Sequence, residues 1–379
     1  MVSPAEIERR YSAIREAMAE QHLDAVVVCG SEYTGFEGAV TYMSGFVIVH
    51  RYAYVILPRE GDSTIVFPAE ARYVGEHATS WIEDQVFAER PGQYIGERLA
   101  GQRVGVYGLD YVMAVRDFEG THLRVEFVPF DVEFDLARAV KSENELESVR
   151  DSVRINTEGF WAFLEAYAPG KTAAEVLAPA EKLFVEEGCG RLTMNMVLVG
   201  AEFAIARKST VLGEFCIPSL EIAGPGGHWV EVSRSIGKPN AEVSRMVEAY
   251  EEYFEAAKTA LRPGATSHDV HRAVSQGFTD RGYHLGHVTG HSIGMTMIEH
   301  PKIGEAIETE LRENMVFSMH PHVIADNGQD CLYMQDTWLV TADGGEPLAG
   351  LPMRIYEAGE TRPQTAFSRL RRECDRTTL

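Results

Sequence analysis

The sequence has few features of a membrane or secreted protein. No apolar run approaches the roughly 18 residues that a membrane-spanning helix needs, and the opening segment MVSPAEIERRY lacks the apolar core of a signal peptide. The cysteines are few, odd in number and widely spaced, and no two of them form a CxxC pair; they are Cys29, Cys189, Cys216, Cys331 and Cys374. We therefore predict free thiols and a cytoplasmic protein.

Positive charge is also scarce. The chain has 35 Lys and Arg residues against 57 Asp and Glu residues, which gives a formal net charge of −22. The basic cluster at Arg369–Arg372 is followed by acids and is typical of a solvated chain end. Because no basic stripe is available to neutralise phosphates, the charge argues against nucleic acid and anionic membranes as main partners.

The length of 379 residues predicts two domains, since domains usually have roughly 100–200 residues. Residues 1–135 alternate strand-like and helix-like segments, as a small α/β domain does. Lys141–Glu145 is a polar boundary, where Ser142 and Glu145 form the capping box of a long helix. We predict a second domain over residues 136–360 and a C-terminal tail over residues 361–379.

The second predicted domain contains an internal repeat. A helix ends at PGKT (169–172), and another helix follows until Gly188; the same order recurs at PGAT (263–266) and Gly282, with one constant offset. Chance could produce the PGxT tetrapeptide twice, but it is much less able to reproduce the flanking helices and the closing glycine as well. We therefore predict two helix pairs, each followed by strands that line a pocket between the two halves.

The segment VTGHSIGMTMIEHP at 288–301 is the strongest candidate for part of an active site. Gly290 and Gly294 flank His291, and glycines let the backbone come close to whatever lies in front of it. A histidine in such a frame is a better site candidate than one in the middle of a helix. The alternative is a core histidine with a satisfied hydrogen bond.

The chain resembles the creatinase, prolidase and aminopeptidase P family. Besides the two PGxT units, the segments that carry the resemblance are YMSGF (42–46), KSENELESVR (141–150), TGHSIGM (289–295), ENMVFSMHP (313–321) and LYMQDTWLVTADG (332–344). The resemblance covers most of the chain. It implies an α+β protein with a creatinase-type N-terminal α/β domain and a duplicated C-terminal "pita-bread" domain.

The same resemblance locates the expected catalytic positions. In the metallopeptidase members, two Asp, one His and two Glu hold two metal ions, and two further His assist catalysis. The ligand positions fall here at Glu221, Glu231, His291, His320 and Gln335, and the assisting positions fall at Arg207 and Ile298. A one-residue gap leaves Ser219 or Leu220 as alternatives to Glu221. Among the ligand positions, His291 keeps the family residue.

The replaced ligands oppose a centre with two metals. Two cations held about 3.5–4 Å apart need bridging carboxylates, whereas a bridging position is Gln335 here and Arg207 adds positive charge. One cation is an alternative, because two carboxylates and two imidazoles are a reasonable ligand set. Those four residues are Glu221, Glu231, His291 and His320.

The leading hypothesis is a metal-independent hydrolase or lyase that cleaves a C–N bond in a small charged amino-acid derivative and needs no cofactor. Creatinase and ectoine hydrolase are family members of that kind, and FSMHP and EIAG resemble their segments. Glu221 would then be a nucleophile or an anchor that Glu231 shares, and His291 or His320 the general base. The alternatives are a metal-dependent Xaa-Pro peptidase with an altered mononuclear site, and a non-catalytic binding module.

Further residues are predicted to bind the substrate. Arg207 would clamp a carboxylate, while Gln335 and His322 would line the pocket. His50 and Arg51 would reach the pocket of a partner subunit, since dimers of the family often place the N-terminal domain there. The alternative for Arg51 is a solvated edge residue. We therefore predict a homodimer that binds a small molecule.

Overall fold

The computed structural model describes residues 2–32, 35–48, 51–72, 80–121, 124–189 and 193–362. His50 and the predicted tail from residue 363 onward lie outside these ranges. Within them, we find no helix with the length and apolar character required to cross a membrane.

Where the N-terminal part is described, it forms a six-stranded sheet with helices packed against it. Its elements are α1 (Pro4–Glu20), β1 (Ala25–Ser31), α2 (Gly38–Ser44), β2 (Tyr52–Pro58), β3 (Thr64–Pro68), a 3₁₀ turn (Ala69–Ala71), β4 (Asp84–Ala88), α3 (Pro91–Arg98), β5 (Arg103–Tyr107), α4 (Val115–Thr121), β6 (Glu126–Pro129) and α5 (Asp131–Ala137). The strand order is β4-β3-β2-β1-β5-β6, with β1 antiparallel to β2 and parallel to β5.

Local sequence explains where this part begins. Ser3 caps α1, because its Oγ accepts a hydrogen bond from the Glu6 N–H at 3.2 Å, and Pro4 occupies the first turn. Every residue of β1, AVVVCGS, is buried, since the strand lies in the interior of the sheet with helices packed against it. The alternation of strand and helix that the sequence predicts for the N-terminal part is therefore present.

The described residues of the C-terminal part form two helix pairs and three sheets. Its elements are α6 (Glu143–Ala166), α7 (Ala173–Glu186), β7 (Thr193–Val199), β8 (Ala204–Ile205), β9 (Phe215–Ala223), β10 (Trp229–Glu231), β11 (Ile236–Gly237), α8 (Ala241–Ala260), α9 (Ser267–Thr279), β12 (His284–Leu285), β13 (Gly290–Ser292), β14 (Glu299–Ile303), β15 (Val316–Met319), β16 (His322–Ile324), β17 (Cys331–Tyr333), β18 (Asp336–Thr341) and β19 (Gly344–Pro347). The sheet orders are β10-β9-β7-β8 with β11 beside β9, β12-β16-β17, and β14-β13-β15-β18-β19.

The two helix pairs are those that the internal repeat predicts. Capping boxes that begin at Thr172 and Thr266 start the second helix of each pair. Gly188 and Gly282 follow these helices with φ of 89° and 77°, in the left-handed region that favours glycine. Each pair is followed by strands, so the repeated order of elements is confirmed.

Buried ion pairs join the N-terminal part to the C-terminal part. Arg10 of α1 lies 3.3 Å from the carboxylate of Glu145 in α6. Arg138 and Lys141, just before α6, each lie 3.1 Å from the carboxylate of Glu299 in β14. Because breaking a buried pair leaves an uncompensated charge, these contacts hold the two parts in one orientation. The ion pairs of Glu299 therefore have a structural role, since they join the two parts.

His228 lies near these ion pairs, in the loop between β9 and β10. Its Nδ1 is 2.9 Å from Ser148 Oγ, and the side chain is 3% exposed. Burial lowers the pKa of His228 to about 4, and the charges of Lys141 and Arg10 act in the same direction. The folded protein therefore keeps this ring neutral in a range where a free imidazole takes up a proton.

We expect His228 to make the folded protein less stable as the pH falls from 7 to 5. The unfolded ring binds a proton near pH 6.5, whereas the folded ring stays neutral until about pH 4, so the unfolded state is favoured in between. For this ring the loss is about 2 kcal/mol. His228→Asn keeps a polar group beside Ser148 but cannot titrate. Between pH 7 and pH 5, its free energy of unfolding, measured in urea, should therefore fall by about 2 kcal/mol less than that of the wild type.

The matched control for that experiment is His22→Asn, which changes an exposed histidine just after α1. The control leaves the buried His228 ring unchanged, so its free energy of unfolding should change with pH as that of the wild type does. If His228→Asn and the wild type lose equal amounts of stability between the two pH values, the buried ring does not contribute as argued.

Candidate functional site

Two glutamates face each other at the centre of the C-terminal part. Glu221 on β9 lies directly opposite Glu231 on β10 in the antiparallel register, so their side chains leave the same face of the sheet. These side chains are 7% and 3% exposed. Burying two carboxylic acids is costly unless they have polar partners, and the partners that surround them define the candidate site.

His291 reaches Glu231 from β13. Its Nε2 lies 3.4 Å from Glu231 Oε1, and its Nδ1 lies 3.0 Å from the Ser292 carbonyl oxygen. A ring that donates from Nδ1 to a carbonyl turns its other nitrogen toward the site, as the rings of metal-binding histidines commonly do. His291 is thus buried, but the backbone uses only one of its nitrogens.

The glycines around His291 are required by close packing. A Cβ on Gly290 would come within 2.4 Å of the Ser318 carbonyl oxygen, and a Cβ on Gly294 would come within 2.5 Å of the Glu299 carboxylate. Neither neighbour is free to move, since the first is backbone and the second is held in buried ion pairs. The close backbone approach that the sequence predicts at these glycines is confirmed.

His320 completes a cluster with Glu231 and His291. Its Nε2 lies 3.8 Å from Glu231 Oε2, and its Nδ1 is buried without a hydrogen-bond partner among the described residues. One carboxylate oxygen and two imidazole nitrogens from these three buried residues lie within 4.8 Å of one another. This donor set suits a divalent cation such as Zn²⁺ or Mn²⁺.

Gln335 bridges the two glutamates. Its Nε2 donates to Glu221 Oε1 at 3.0 Å and to Glu231 Oε2 at 2.9 Å, while its Oε1 accepts a hydrogen bond from Ser233 Oγ at 2.7 Å. These contacts fix the orientation of the amide. Because N–H groups point at both carboxylates, a second cation that bridges them does not fit here, whereas a single cation beside Glu231 does.

The two glutamates differ in protonation. Burial raises the pKa of Glu221 to about 8, and the neighbouring Glu231 acts in the same direction. Burial also opposes ionisation of Glu231, but His320 and His291, which face its carboxylate, lower its pKa to about 2. At neutral pH Glu221 therefore holds a proton while Glu231 is ionised. Two carboxyl groups with opposed pKa shifts are the arrangement that enzymes use for acid and base roles.

The two imidazoles differ as well. Burial lowers the pKa of His320 to about 3, so this ring is neutral and its nitrogens can bind a cation. Burial also disfavours protonation of His291, but its hydrogen bond with Glu231 and the charge of that residue raise the pKa of His291. A proton and a metal cation therefore compete for Nε2 of His291.

Four more rings adjoin this cluster, and we call them the ring wall: Phe203, His287, His322 and Tyr333. The centroid of the His287 ring lies 5.2 Å from that of His320, and the Tyr333 hydroxyl accepts a hydrogen bond from Gln335 Nε2 at 3.0 Å. His322 is a predicted site residue that the structure brings into the wall. The sequence does not indicate that Phe203 and Tyr333 belong to the site, because the contacts that bring them there join segments far apart in the chain.

The structure does not bring every predicted substrate-binding residue to the cluster. Arg207 follows β8 with an exposed side chain, and no described contact joins it to the buried glutamates. Arg51 is also exposed, and its backbone N–H donates to Glu32 at 2.7 Å. His50 lies outside the described residues. Roles for these three residues in substrate binding therefore stay predictions.

Two family models match this chain. The model of the creatinase/prolidase N-terminal domain matches residues 10–140. The model of metallopeptidase family M24 matches residues 147–342, which is just over half of the chain.

Individual relatives match over nearly their whole length. The Xaa-Pro dipeptidase of Pyrococcus furiosus is 23% identical over 356 residues, which cover 90% of this chain and 98% of the relative. The probable dipeptidase PepE of Mycobacterium tuberculosis is 24% identical over 370 residues, which cover 92% and 95%.

Solved structures show the same architecture. The prolidase of Pyrococcus horikoshii superposes with a TM-score of 0.77 at 21% identity, covering 90% of this chain and 98% of that one. The dipeptidase PepE of Mycobacterium ulcerans superposes with a TM-score of 0.78 at 23% identity, covering 94% and 99%. The predicted α+β architecture, with a creatinase-type N-terminal domain and a pita-bread domain, is confirmed.

The hypothesis of a metal-independent, creatinase-like C–N hydrolase is wrong. The matching family model is that of metallopeptidases, and the similar proteins are Xaa-Pro dipeptidases and prolidases. The physical reason lies in the ligand set. Taken one by one, the replaced ligands indicate a loss of metal, but the fold brings Glu231, His291 and His320 together as donors for one cation.

Proposed function

Because this chain belongs to metallopeptidase family M24, a family of hydrolytic enzymes, we propose that it is a metal-dependent dipeptidase of the Xaa-Pro type that uses a single divalent cation. The observation that carries the proposal is the buried cluster of Glu231, His291 and His320, with ligand atoms within 4.8 Å of one another. The similarity to an Xaa-Pro dipeptidase over 90% of the chain supports the substrate class.

The three residues of the cluster would hold the cation. When bound there, it would act as a Lewis acid on the carbonyl oxygen of the peptide bond. The residues around the cluster orient its donors: Ser318 Oγ donates to Glu231 Oε2 at 2.6 Å, and the Ser292 carbonyl fixes the His291 ring through Nδ1. Such outer contacts are needed to keep metal-binding side chains in one geometry.

Glu221 is suited to deliver a proton to the leaving nitrogen. Its Oε1 accepts hydrogen bonds from Ser219 Oγ at 2.8 Å and from Gln335 Nε2 at 3.0 Å. Since the described donors converge on Oε1, the proton that the raised pKa keeps on this carboxyl group lies on Oε2. A carboxylic acid that is protonated near neutral pH, beside an ionised partner, can act as general acid when the C–N bond breaks.

Other predictions from the sequence stay open beside this proposal. A dipeptide is the small-molecule partner that the proposed activity requires. A homodimer and a cytoplasmic location remain predictions. If the protein is a dimer, Arg51 of one subunit could still reach the other subunit's site.

We expect the purified protein to bind one divalent cation per chain and to hydrolyse Xaa-Pro dipeptides. Mass spectrometry of the metal content gives the stoichiometry, and release of free proline gives the rate. A chelator should abolish the rate, and Mn²⁺, Co²⁺ or Zn²⁺ should restore it. A protein loaded with cation that binds dipeptides without releasing proline would be a binding module, and a rate that the chelator leaves unchanged would overturn the metal-dependent proposal.

A further inference from the structure

The ring wall continues the candidate site away from the cation-binding cluster. Ring centroids are 5.0 Å apart between His291 and His320, 5.2 Å between His320 and His287, and 5.4 Å between His287 and His322. Phe203 stacks on His322 with centroids 3.4 Å apart and ring planes inclined by 18°. A substrate whose peptide bond lies at the cluster therefore has these rings as its neighbours on one side.

Phe203 is held in an unusual position. It ends the turn at 200–203 between β7 and β8, where its N–H donates to the Gly200 carbonyl at 3.2 Å. Its φ is 54°, in the left-handed region that bulky residues rarely adopt. Its half-buried ring packs edge-on against Tyr333, with centroids 4.7 Å apart. The hairpin therefore directs this ring toward the site at some conformational cost.

His322 has an unused polar atom. The ring is 4% exposed, and its Nε2 makes no hydrogen bond of normal geometry among the described residues, although the Ala201 backbone interacts with the ring. A Cβ on Gly286 would lie 2.2 Å from His322 Nδ1, so the glycine makes room for the ring. A buried polar atom without a partner is costly, and a hydrogen bond from a bound molecule would remove that cost.

We propose that Phe203 and His322 determine substrate specificity at this site: their stacked rings accept an uncharged apolar or ring-shaped side chain next to the hydrolysed bond, and His322 Nε2 hydrogen-bonds the main chain of the substrate. This inference rests on the proposed dipeptidase function. For Phe203, neither the composition nor the spacing of the sequence indicates such a role.

The chemistry of the wall explains the preference. Phe203, His322 and Tyr333 offer ring faces, and their described side-chain contacts include no Lys, Arg, Asp or Glu. A charged side chain placed against these rings would lose its hydration without gaining an ion pair. An apolar side chain would gain by leaving water. The wall thus discriminates mainly against charge.

The test uses dipeptides that vary one position at a time: Xaa-Pro with Phe, Leu, Lys or Asp first, and Leu-Yaa with Pro, Phe, Lys or Asp second. In the wild type, kcat/KM should favour uncharged over charged side chains at one of the two positions. Phe203→Ala should reduce that preference about tenfold, mostly through KM, because it removes an apolar ring from the wall. An unchanged preference at both positions would overturn the assignment of Phe203.

Two variants of His322 separate stacking from hydrogen bonding. His322→Phe keeps a ring under Phe203 but removes the nitrogen, so kcat/KM should fall similarly for all dipeptides while the preference stays. His322→Gln supplies an amide nitrogen without a ring, so the preference should fall while much of the general rate returns. The opposite pattern would contradict the assigned roles. Ile205→Ala, an exposed change on the same hairpin, is the matched control and should behave as wild type.

Failure of this inference can be distinguished from failure of the proposed function. If the wild-type protein loaded with Mn²⁺ hydrolyses none of the dipeptides, the dipeptidase proposal fails, and calorimetry then measures their binding. Tighter binding of uncharged dipeptides that Phe203→Ala abolishes would still support the specificity pair. Equal binding of charged and uncharged dipeptides would overturn it. In every variant, the cation content must match wild type, since none of these changes touches the cation-binding cluster.

Discussion

Glu231→Gln should remove the bound cation and abolish dipeptide hydrolysis. The change keeps the shape of the side chain and its ability to accept the Ser318 Oγ hydrogen bond, which is 2.6 Å long in the native protein. It removes the negative charge that His291 and His320 both face at 3.4 Å and 3.8 Å. Changes in outer contacts of bound metals cost about 10–100-fold in affinity or activity, so loss of a direct ligand should cost more.

The matched control is Glu221→Gln, an identical chemical change on the opposite strand. Because Glu221 is not one of the three clustered ligands, its variant should keep the cation, as calorimetry with Mn²⁺ would show. It should nevertheless lose kcat, since an amide cannot deliver the proton that Glu221 holds. Native cation affinity in Glu231→Gln, or loss of the cation in Glu221→Gln with retention in Glu231→Gln, would contradict the assignment of ligand and acid.

Local sequence was enough to predict the framework of the site. The capping box at Ser142 and the repeated PGxT units mark helix ends, because capping depends on residues within one turn of each other. The role of the glycines beside His291 could also be predicted, since close backbone approach requires a residue without a side chain. Each of these features depends on residues that are close together in the chain, so the sequence alone is enough to predict it.

The set of residues that form the site could not be predicted from local sequence. Gln335 lies far along the chain from Glu221, and only the fold reveals that its amide donates to both glutamates. Arg207 occupies a position where the family resemblance implies an active-site residue, yet its side chain is exposed. Phe203 follows β7 and stacks on His322, which belongs to a strand of a different sheet. Long-range contacts of this kind leave no local pattern.

Gln335 also explains why the site suits one cation, and Gln335→Glu tests that explanation. The residue is fully buried, and its Nε2 donates to Glu221, Glu231 and the Tyr333 hydroxyl within 3.0 Å. A glutamate would replace these donors by an acceptor and bring a third carboxyl group against two others. In the presence of a chelator, we expect the free energy of unfolding to fall by about 3 kcal/mol or more, the scale of an uncompensated buried charge.

Divalent cations should reverse that loss. A carboxylate at this position could bridge two cations, which is the role that the native amide cannot take. We therefore expect Gln335→Glu to bind two Mn²⁺ per chain, measured by metal analysis, and to regain stability in urea unfolding followed by the fluorescence of the buried Trp229 and Trp338. Gln335→Met removes the same donors without adding charge, so Mn²⁺ should stabilise it no more than wild type. One Mn²⁺ per chain in Gln335→Glu, with native stability in chelator, would show that the amide does not set the cation number.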